Sequence, residues 1–230
     1  MFVETNMTPQ LLTDCESPEP LFHSPLFCAE EKLDGDFRRV VKAGNEVTGF
    51  TREGNPVALS EETVALAMLS PFDFVIDGEQ MPAGRFVAFD ICGLMGAPVL
   101  SENSARRDML CDVWKGEVVR RVIGEQAKRE LCEQVKEMGG EGIVFKRVDA
   151  PYIEGRTPYC QRWKNYQQEV FEVSAVNIAK CSVEVSRHGK SYGGVPVQSL
   201  ARLPKVGDKI LVKYERVTEK NRLLRAVLAK

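Results

Sequence analysis

A lysine, an aspartate and a glycine at fixed spacing, Lys32-Leu33-Asp34-Gly35, stand between two runs that read as strands. The first run, Leu26-Phe27-Cys28-Ala29, is apolar and delivers Lys32 just past its end; the second opens at Phe37. This places a lysine at the mouth of a sheet. A lysine held there can act as a nucleophile when its ammonium loses a proton, which burial or neighbouring cations favour by lowering the pKa from roughly 10.4. The four residues alone are met equally well by a surface lysine entering a tight turn with glycine at positive φ.

The surrounding pattern is strand-rich. Strands are predicted over 26–31, 37–42 and 46–51, with Ala43-Gly44-Asn45 as the hairpin turn between the last two. Thr51-Arg52-Glu53-Gly54-Asn55-Pro56 closes that strand, and Ser60-Glu61-Glu62 reads as an N-cap with acids in the first turn of a helix reaching about residue 69. Two more apolar strands follow over 74–79 and 85–92, carrying Asp77, Glu79 and Phe89-Asp90; their acids are either solvated or engaged in metal or ribose binding. Helices are predicted over 104–119 and 124–138. Their basic residues Arg106, Arg107, Arg120, Arg121, Lys128 and Arg129 read as a solvated or phosphate-facing surface. After Gly139-Gly140 come a short strand over 141–146, a loop over 155–158 and a basic, aromatic strand, Gln161-Arg162-Trp163-Lys164-Asn165-Tyr166. Residues 1–25, rich in Pro, Ser, Thr and acids, are expected to lie over the surface with Leu11-Leu12 as an anchor.

From 169 the texture changes to short strands over 170–176, 182–186, 209–214 and 223–228, with turns at His188-Gly189 and Gly193-Gly194. Charge changes at the same place. The net charge of the 230 residues is only −2, yet residues 169–230 carry 12 Lys and Arg against 6 Asp and Glu, leaving 19 against 27 for the rest. A carboxylate-rich catalytic domain joined to a module that meets phosphates gives this asymmetry, as does a solvated basic face. The fold class expected is α+β. A domain of antiparallel sheets with flanking helices over 1–168 precedes a small, shortened OB-like β-barrel over 169–230 that binds nucleic acid.

No apolar run approaches the roughly 18 residues of a membrane span, and Met1-Phe2-Val3-Glu4-Thr5-Asn6 lacks the basic start of a signal peptide, so no membrane association and a cytoplasmic location are expected. Seven cysteines, an odd number, include no Cys-x-x-Cys pair and accompany only two histidines, which argues against structural zinc and a disulfide framework. They read as small core residues in a reducing compartment.

Six of these stretches, in this order, resemble the motifs of the covalent nucleotidyltransferases, and among them the ATP-dependent DNA ligases of minimal, phage- or plasmid-like size. Lys32-Leu33-Asp34-Gly35 resembles the nucleophile motif, Thr51-Arg52-Glu53-Gly54 the arginine motif, Asp77-Gly78-Glu79 the third, and 86–91 the Phe-Asp element. Glu141-Gly142-Ile143-Val144-Phe145-Lys146 resembles the Glu-Gly-Ile-Val-x-Lys motif and Arg162-Trp163-Lys164 the basic closing motif.

The resemblance implies that Lys32 attacks the α-phosphate of ATP to form lysyl-AMP, with Asp34, Lys146 and Lys164 as catalytic partners that offset phosphate charge or assist transfer. It implies nucleotide contacts from Glu30, Arg38, Arg52, Glu79, Phe89, Glu141, Arg162 and the two motif lysines, with Glu79 on a ribose hydroxyl, Phe89 stacked on adenine and Arg52 on the nucleotide or the nick phosphate. Glu141 and Asp34 would hold Mg2+ or Mn2+. The implied partners are ATP and nicked double-stranded DNA, the protein acting as a monomer. AMP would pass to the 5′-phosphate of a nick before attack by the 3′-hydroxyl. RNA ligases and RNA-capping guanylyltransferases share the nucleophile motif, and a nick-binding protein without catalysis is the alternative outside the enzymes.

Three places depart from the family pattern. Phe37 stands where the nucleophile motif usually has arginine, and Arg38, one place later, faces the other side of a strand unless the chain bulges there. Arg162 stands in the first lysine position of the closing motif. The Arg-x-Asp-Lys motif that ends the small domain of such ligases is absent, leaving Arg225 or Lys230 to grip pyrophosphate or a slow first step.

Overall fold

The computed structural model describes residues 7–229, which divide into a first unit running to Trp163 and a second beginning at Lys164, a few residues before the change in composition. In the first unit the strands Asp36–Ala43 and Phe74–Gln80, the latter buried along its first five residues, form the centre of a seven-stranded sheet. Its order runs Pro56–Val57, Glu46–Phe50, Asp36–Ala43, Phe74–Gln80, Phe86–Leu94 and Ala97–Pro98, with Glu117–Val118 added in parallel to Phe86–Leu94. One face packs under helices Glu61–Met68 and Asn103–Val113. Val40, Ile76, Phe86, Ile91 and Leu110 form the core there. Ser60 caps the first of these helices, its hydroxyl accepting from the Thr63 N–H.

The second helix stops at Val113, short of the predicted 119, because Trp114 leaves the helix to bury its ring edge-on between Phe74 and Phe86. The residues after it are then free to form the added strand.

A five-stranded sheet completes the first unit, in the order Gln10–Asp14, Gly155–Lys164, Gly142–Arg147, Phe27–Glu31, Arg121–Val122. Helix Glu125–Glu137 covers it through Leu131, Cys132 and Val135, packed on Ala29, Ile143 and Phe145. The segment expected over the surface is built into this layer. Gln10–Asp14 pairs in parallel with Gly155–Lys164, and Leu21 and Phe22 are buried in the core. The absence of apolar–polar alternation in Gln10–Asp14 and the prolines on either side hid this edge strand, which also draws the predicted loop over 155–158 into the sheet. Residues 1–6 lie outside the described part.

The second unit is a five-stranded antiparallel sheet, ordered Lys190–Pro196, Ser182–Arg187, Gln167–Asn177, Lys209–Tyr214, Val227–Leu228, with a hairpin of Arg216–Val217 and Leu223–Leu224. Phe171, Val173, Val185, Val212 and Tyr214 fill its core. The edge strand Lys190–Pro196 lies against Leu223–Leu224 and Val227–Leu228, giving the curled strand set of an OB-like module. Gly193-Gly194, predicted as a turn, sits inside a strand instead; a register shift opposite Val185 absorbs the positive φ of Gly193. No described helix is long and apolar enough to cross a membrane.

Several basic residues expected on a solvated surface are buried. Arg106 is 1% exposed and binds Asp90 through two nitrogens, Nε–Oδ1 at 2.8 Å and Nη2–Oδ2 at 3.1 Å. Lys128 is fully buried and donates to the carbonyls of Leu21, Ser24 and Phe27. Asp77 is neither solvated nor aimed at a ligand, since Arg39 holds it from two nitrogens at 2.7 and 2.9 Å. Burial raises the Asp77 carboxyl above its ordinary range despite Arg39. Burial also acts on Asp90, but Arg106 and Lys146 outweigh it and hold that carboxyl below the ordinary range.

Candidate active site

The face of the large sheet away from its helices and the five-stranded sheet enclose a cavity lined by Glu30, Lys32, Phe37, Arg52, Glu79, Phe89, Lys146 and Arg162. Leu11 and Leu12 of the N-terminal edge strand line it too. Lys32 follows the buried strand Phe27–Glu31, and its backbone N–H is tied to the Gly142 carbonyl at 2.9 Å. Its Nζ lies 2.6 Å from Oε2 of Glu141, a carboxylate whose side chain is 7% exposed.

Gly35 is required by a close approach. A Cβ there would stand 2.5 Å from the Gln80 carbonyl oxygen and 3.0 Å from Cγ of Glu79. The same closeness brings the Gly35 N–H near enough to Glu79 to favour its charged form. Burial raises the Glu79 carboxyl, Glu141 adds to that, and Lys32 and Arg52 pull the other way. Gly35→Ala is therefore expected to push the chain after Lys32 off the sheet, costing about 1–3 kcal/mol by overpacking. Denaturant unfolding checks the value, and an unchanged midpoint contradicts it.

Phe89 reaches the cavity through a bulge. Asp77 pairs with Asp90 but the next residue, Gly78, pairs with Ala88, so Phe89 is the unpaired extra residue of its strand. Phe86, Ala88 and Ile91 stay in the core, and the skipped place turns Phe89 the other way. Lys146 uses the carbonyl this leaves, Nζ donating to Phe89 O at 2.9 Å, while the ammonium sits 5.0 Å from the Phe89 ring centroid. Gly78 permits the arrangement, since a Cβ there would come within 2.2 Å of the Phe86 ring.

No family model matches the chain. A curated DNA ligase 4 from Coprinopsis cinerea is 28% identical over 174 residues, covering 55% of this chain, which spans only 17% of that relative's length. Among solved structures, a Lig E DNA ligase superposes with a TM-score of 0.75 at 20% identity, covering 96% of this chain and 98% of its own. The ligase domain of LigD from M. tuberculosis gives 0.63 at 20% identity, covering 98% and 94%. The ATP-dependent DNA ligase of bacteriophage T7, solved with ATP, gives 0.51 at 13%, covering 99% and 98%. The chain has the fold of an ATP-dependent DNA ligase.

On this ligase fold the residues singled out in the sequence fall into three groups. Lys32, Glu30, Arg52, Glu79, Phe89, Lys146 and Arg162 line one cavity, with Glu141 hydrogen-bonded to Lys32. Asp34 is exposed beside it. Lys164 belongs to the second unit, where its Nζ lies 2.6 Å from Glu215 and Arg225 binds the same carboxylate.

Arg38 does not join them. Asp36 to Lys42 pair with Gln80 to Phe74 in unbroken register, so no bulge rotates Arg38 inward; it donates instead to the Phe37 carbonyl and to Asp36. Phe37 takes the inward place, 6.2 Å from Phe89 between ring centroids. Glu30 lines the cavity with a carboxylate already engaged, Oε2 2.7 Å from Lys146 and Oε1 3.0 Å from Arg121. Arg121, read as a solvated or phosphate-facing cation, is thus a largely buried partner of a cavity acid, which charge pattern alone concealed. Arg162 is paired with Asp14 across the parallel edge. Lys230 lies outside the described residues.

Proposed function

We propose that the chain is an ATP-dependent polynucleotide ligase that seals 5′-phosphate/3′-hydroxyl nicks in duplex DNA through a lysyl-AMP intermediate. The observation that carries the reading is Lys32 at the end of a rigid strand, facing one cavity with an aromatic ring, Glu79 and the cations Lys146 and Arg52. The Lys32 amine forms a bond to the α-phosphorus of ATP as the bond to pyrophosphate breaks. Glu141, already on Nζ, is placed to take the proton the amine gives up. Lys146, anchored by Glu30 and the Phe89 carbonyl, meets the phosphate charge from a fixed position. Glu79 suits a ribose hydroxyl and Phe89 a stacked base. AMP then passes to a 5′-phosphate, and a 3′-hydroxyl displaces it.

The donor set suits Mg2+ or Mn2+. No group of three or more potential metal ligands occurs among the described residues, but Mg2+ is commonly bound by one or two carboxylates with substrate phosphates and water, which Glu141 and Asp34 can supply. Such an ion neutralises phosphate charge during transfer. Lys164 offsetting phosphate charge, and Arg162 contacting the nucleotide, rest on motif position alone.

Nicked duplexes with DNA or RNA strands on either side of the break test the reading. Sealing of all-DNA nicks supports it, and sealing confined to RNA strands assigns the chain to the RNA ligases. The basic second unit further leads to steep salt dependence of DNA binding. With roughly four phosphates neutralised at about −0.9 each, log K against log salt should slope near −3 to −4. A flat dependence, measured by fluorescence anisotropy, removes the second unit from DNA binding.

A further inference from the structure

We propose that Phe37 is a positioning residue that holds Arg52 over the cavity, so that Arg52 supplies the phosphate-binding cation which its own strand lacks. The inference rests on the ligase reading above. Phe37 is 9% exposed and belongs to the cavity wall, directly opposite Glu79 in the strand register. The Arg52 guanidinium carbon stands 5.1 Å from the Phe37 ring centroid. Arg52 is an exposed residue of the turn after Glu46–Phe50, and among the described residues no acceptor takes one of its N–H groups. Glu79 and Glu53 draw its charge through space, and the stack on Phe37 sets the plane of the guanidinium, with its donors left for a ligand.

A guanidinium on a turn has many rotamers, and an oriented ring selects among them. Phe89, tilted 50° to Phe37, backs that ring, and Lys146 lies over Phe89 in turn, so two cations flank two aromatic faces. The lysine is buried at 5% exposure and the arginine sits at the rim. Lys146 thus suits a phosphate deep beside Lys32, and Arg52 suits a phosphate that arrives from outside, the 5′-phosphate of a nicked strand.

The test compares binding of duplexes that carry a 5′-phosphate or a 5′-hydroxyl at the nick, by anisotropy, for wild type, Phe37→Leu, Phe37→Tyr, Arg52→Met and the double variant Phe37→Leu/Arg52→Met. Phe37→Leu is expected to reduce the preference for phosphate by about 2- to 5-fold, the range a cation–π contact at an exposed site is worth. Phe37→Tyr should keep the preference, and Phe37→Leu should add nothing once Arg52 is methionine. Unchanged preference in Phe37→Leu, or additive losses in the double variant, overturns the proposal. If Phe37→Leu does not fold, Arg52→Lys decides: retained preference means that charge alone suffices and the stack does not position it. The ligase reading fails separately, by absence of AMP on wild-type protein.

Discussion

Lys32→Ala is expected to lose sealing of 5′-phosphorylated nicks completely, while still sealing a nick whose 5′ end already carries AMP. The lysine forms the covalent adenylate and is spent once AMP has moved to the nucleic acid. The last step needs the strand ends and the phosphate-binding groups, and Lys146, Glu79 and Phe89 keep their own supports without Lys32. Lys146 hangs on Glu30 and the Phe89 carbonyl, and Phe89 on the bulge opposite Asp77 and Gly78. The measurement is gel-resolved sealing of both substrates under single turnover. Loss of both activities would mean that Lys32 also shapes the site, through its contact with Glu141. Retention of both would remove Lys32 as nucleophile.

The largest effect on stability is expected from Arg106→Met. It leaves the buried Asp90 with Lys146 as its remaining counter-charge and without its hydrogen-bonded partner, and breaking a buried pair in this way costs about 3–5 kcal/mol. In the wild type Asp90 sits below the ordinary carboxylate range, because Arg106 and Lys146 outweigh its burial. Its contribution is therefore complete at neutral pH and is lost only as pH falls through that depressed value. In the variant burial raises the Asp90 carboxyl, so the protonated form becomes the one the fold prefers. The deficit against wild type should shrink as the pH is lowered toward about 5, by linkage between protonation and folding. Urea unfolding at both pH values checks this, and a pH-independent deficit would show that lost packing, not the stranded charge, dominates.

Much of the fold was legible because its signals are local. The strand around Cys28, the hairpin at Gly44-Asn45 and the helix capped by Ser60 follow from alternation, turn residues and cap chemistry. The cavity lysines and acids were recognisable by motif order. Features set by tertiary packing were not. The buried pairs Arg39 with Asp77 and Arg106 with Asp90 join residues far apart in the chain, so Arg106 looked like a solvated or phosphate-facing cation and the two acids like solvated or ligand-binding groups. The strand Gln10–Asp14 is held by a partner near residue 160, which no local pattern announces.

One missed feature did leave a local trace. In Phe86-Val-Ala-Phe-Asp-Ile91 the core positions run 86, 88, 91, and that skipped place is the bulge which aims Phe89 at the cavity. Phe37 was legible as an anomaly but not as a solution. Its ring has meaning only beside Arg52, a turn residue from the next strand.

The central claim is a covalent adenylate on Lys32. Incubating the wild-type protein with α-labelled ATP and Mg2+, then mapping the label by proteolysis and mass spectrometry, tests it most directly. The account predicts one AMP per chain, on Lys32, released by pyrophosphate. Label on another residue, or none with any nucleotide, would contradict it.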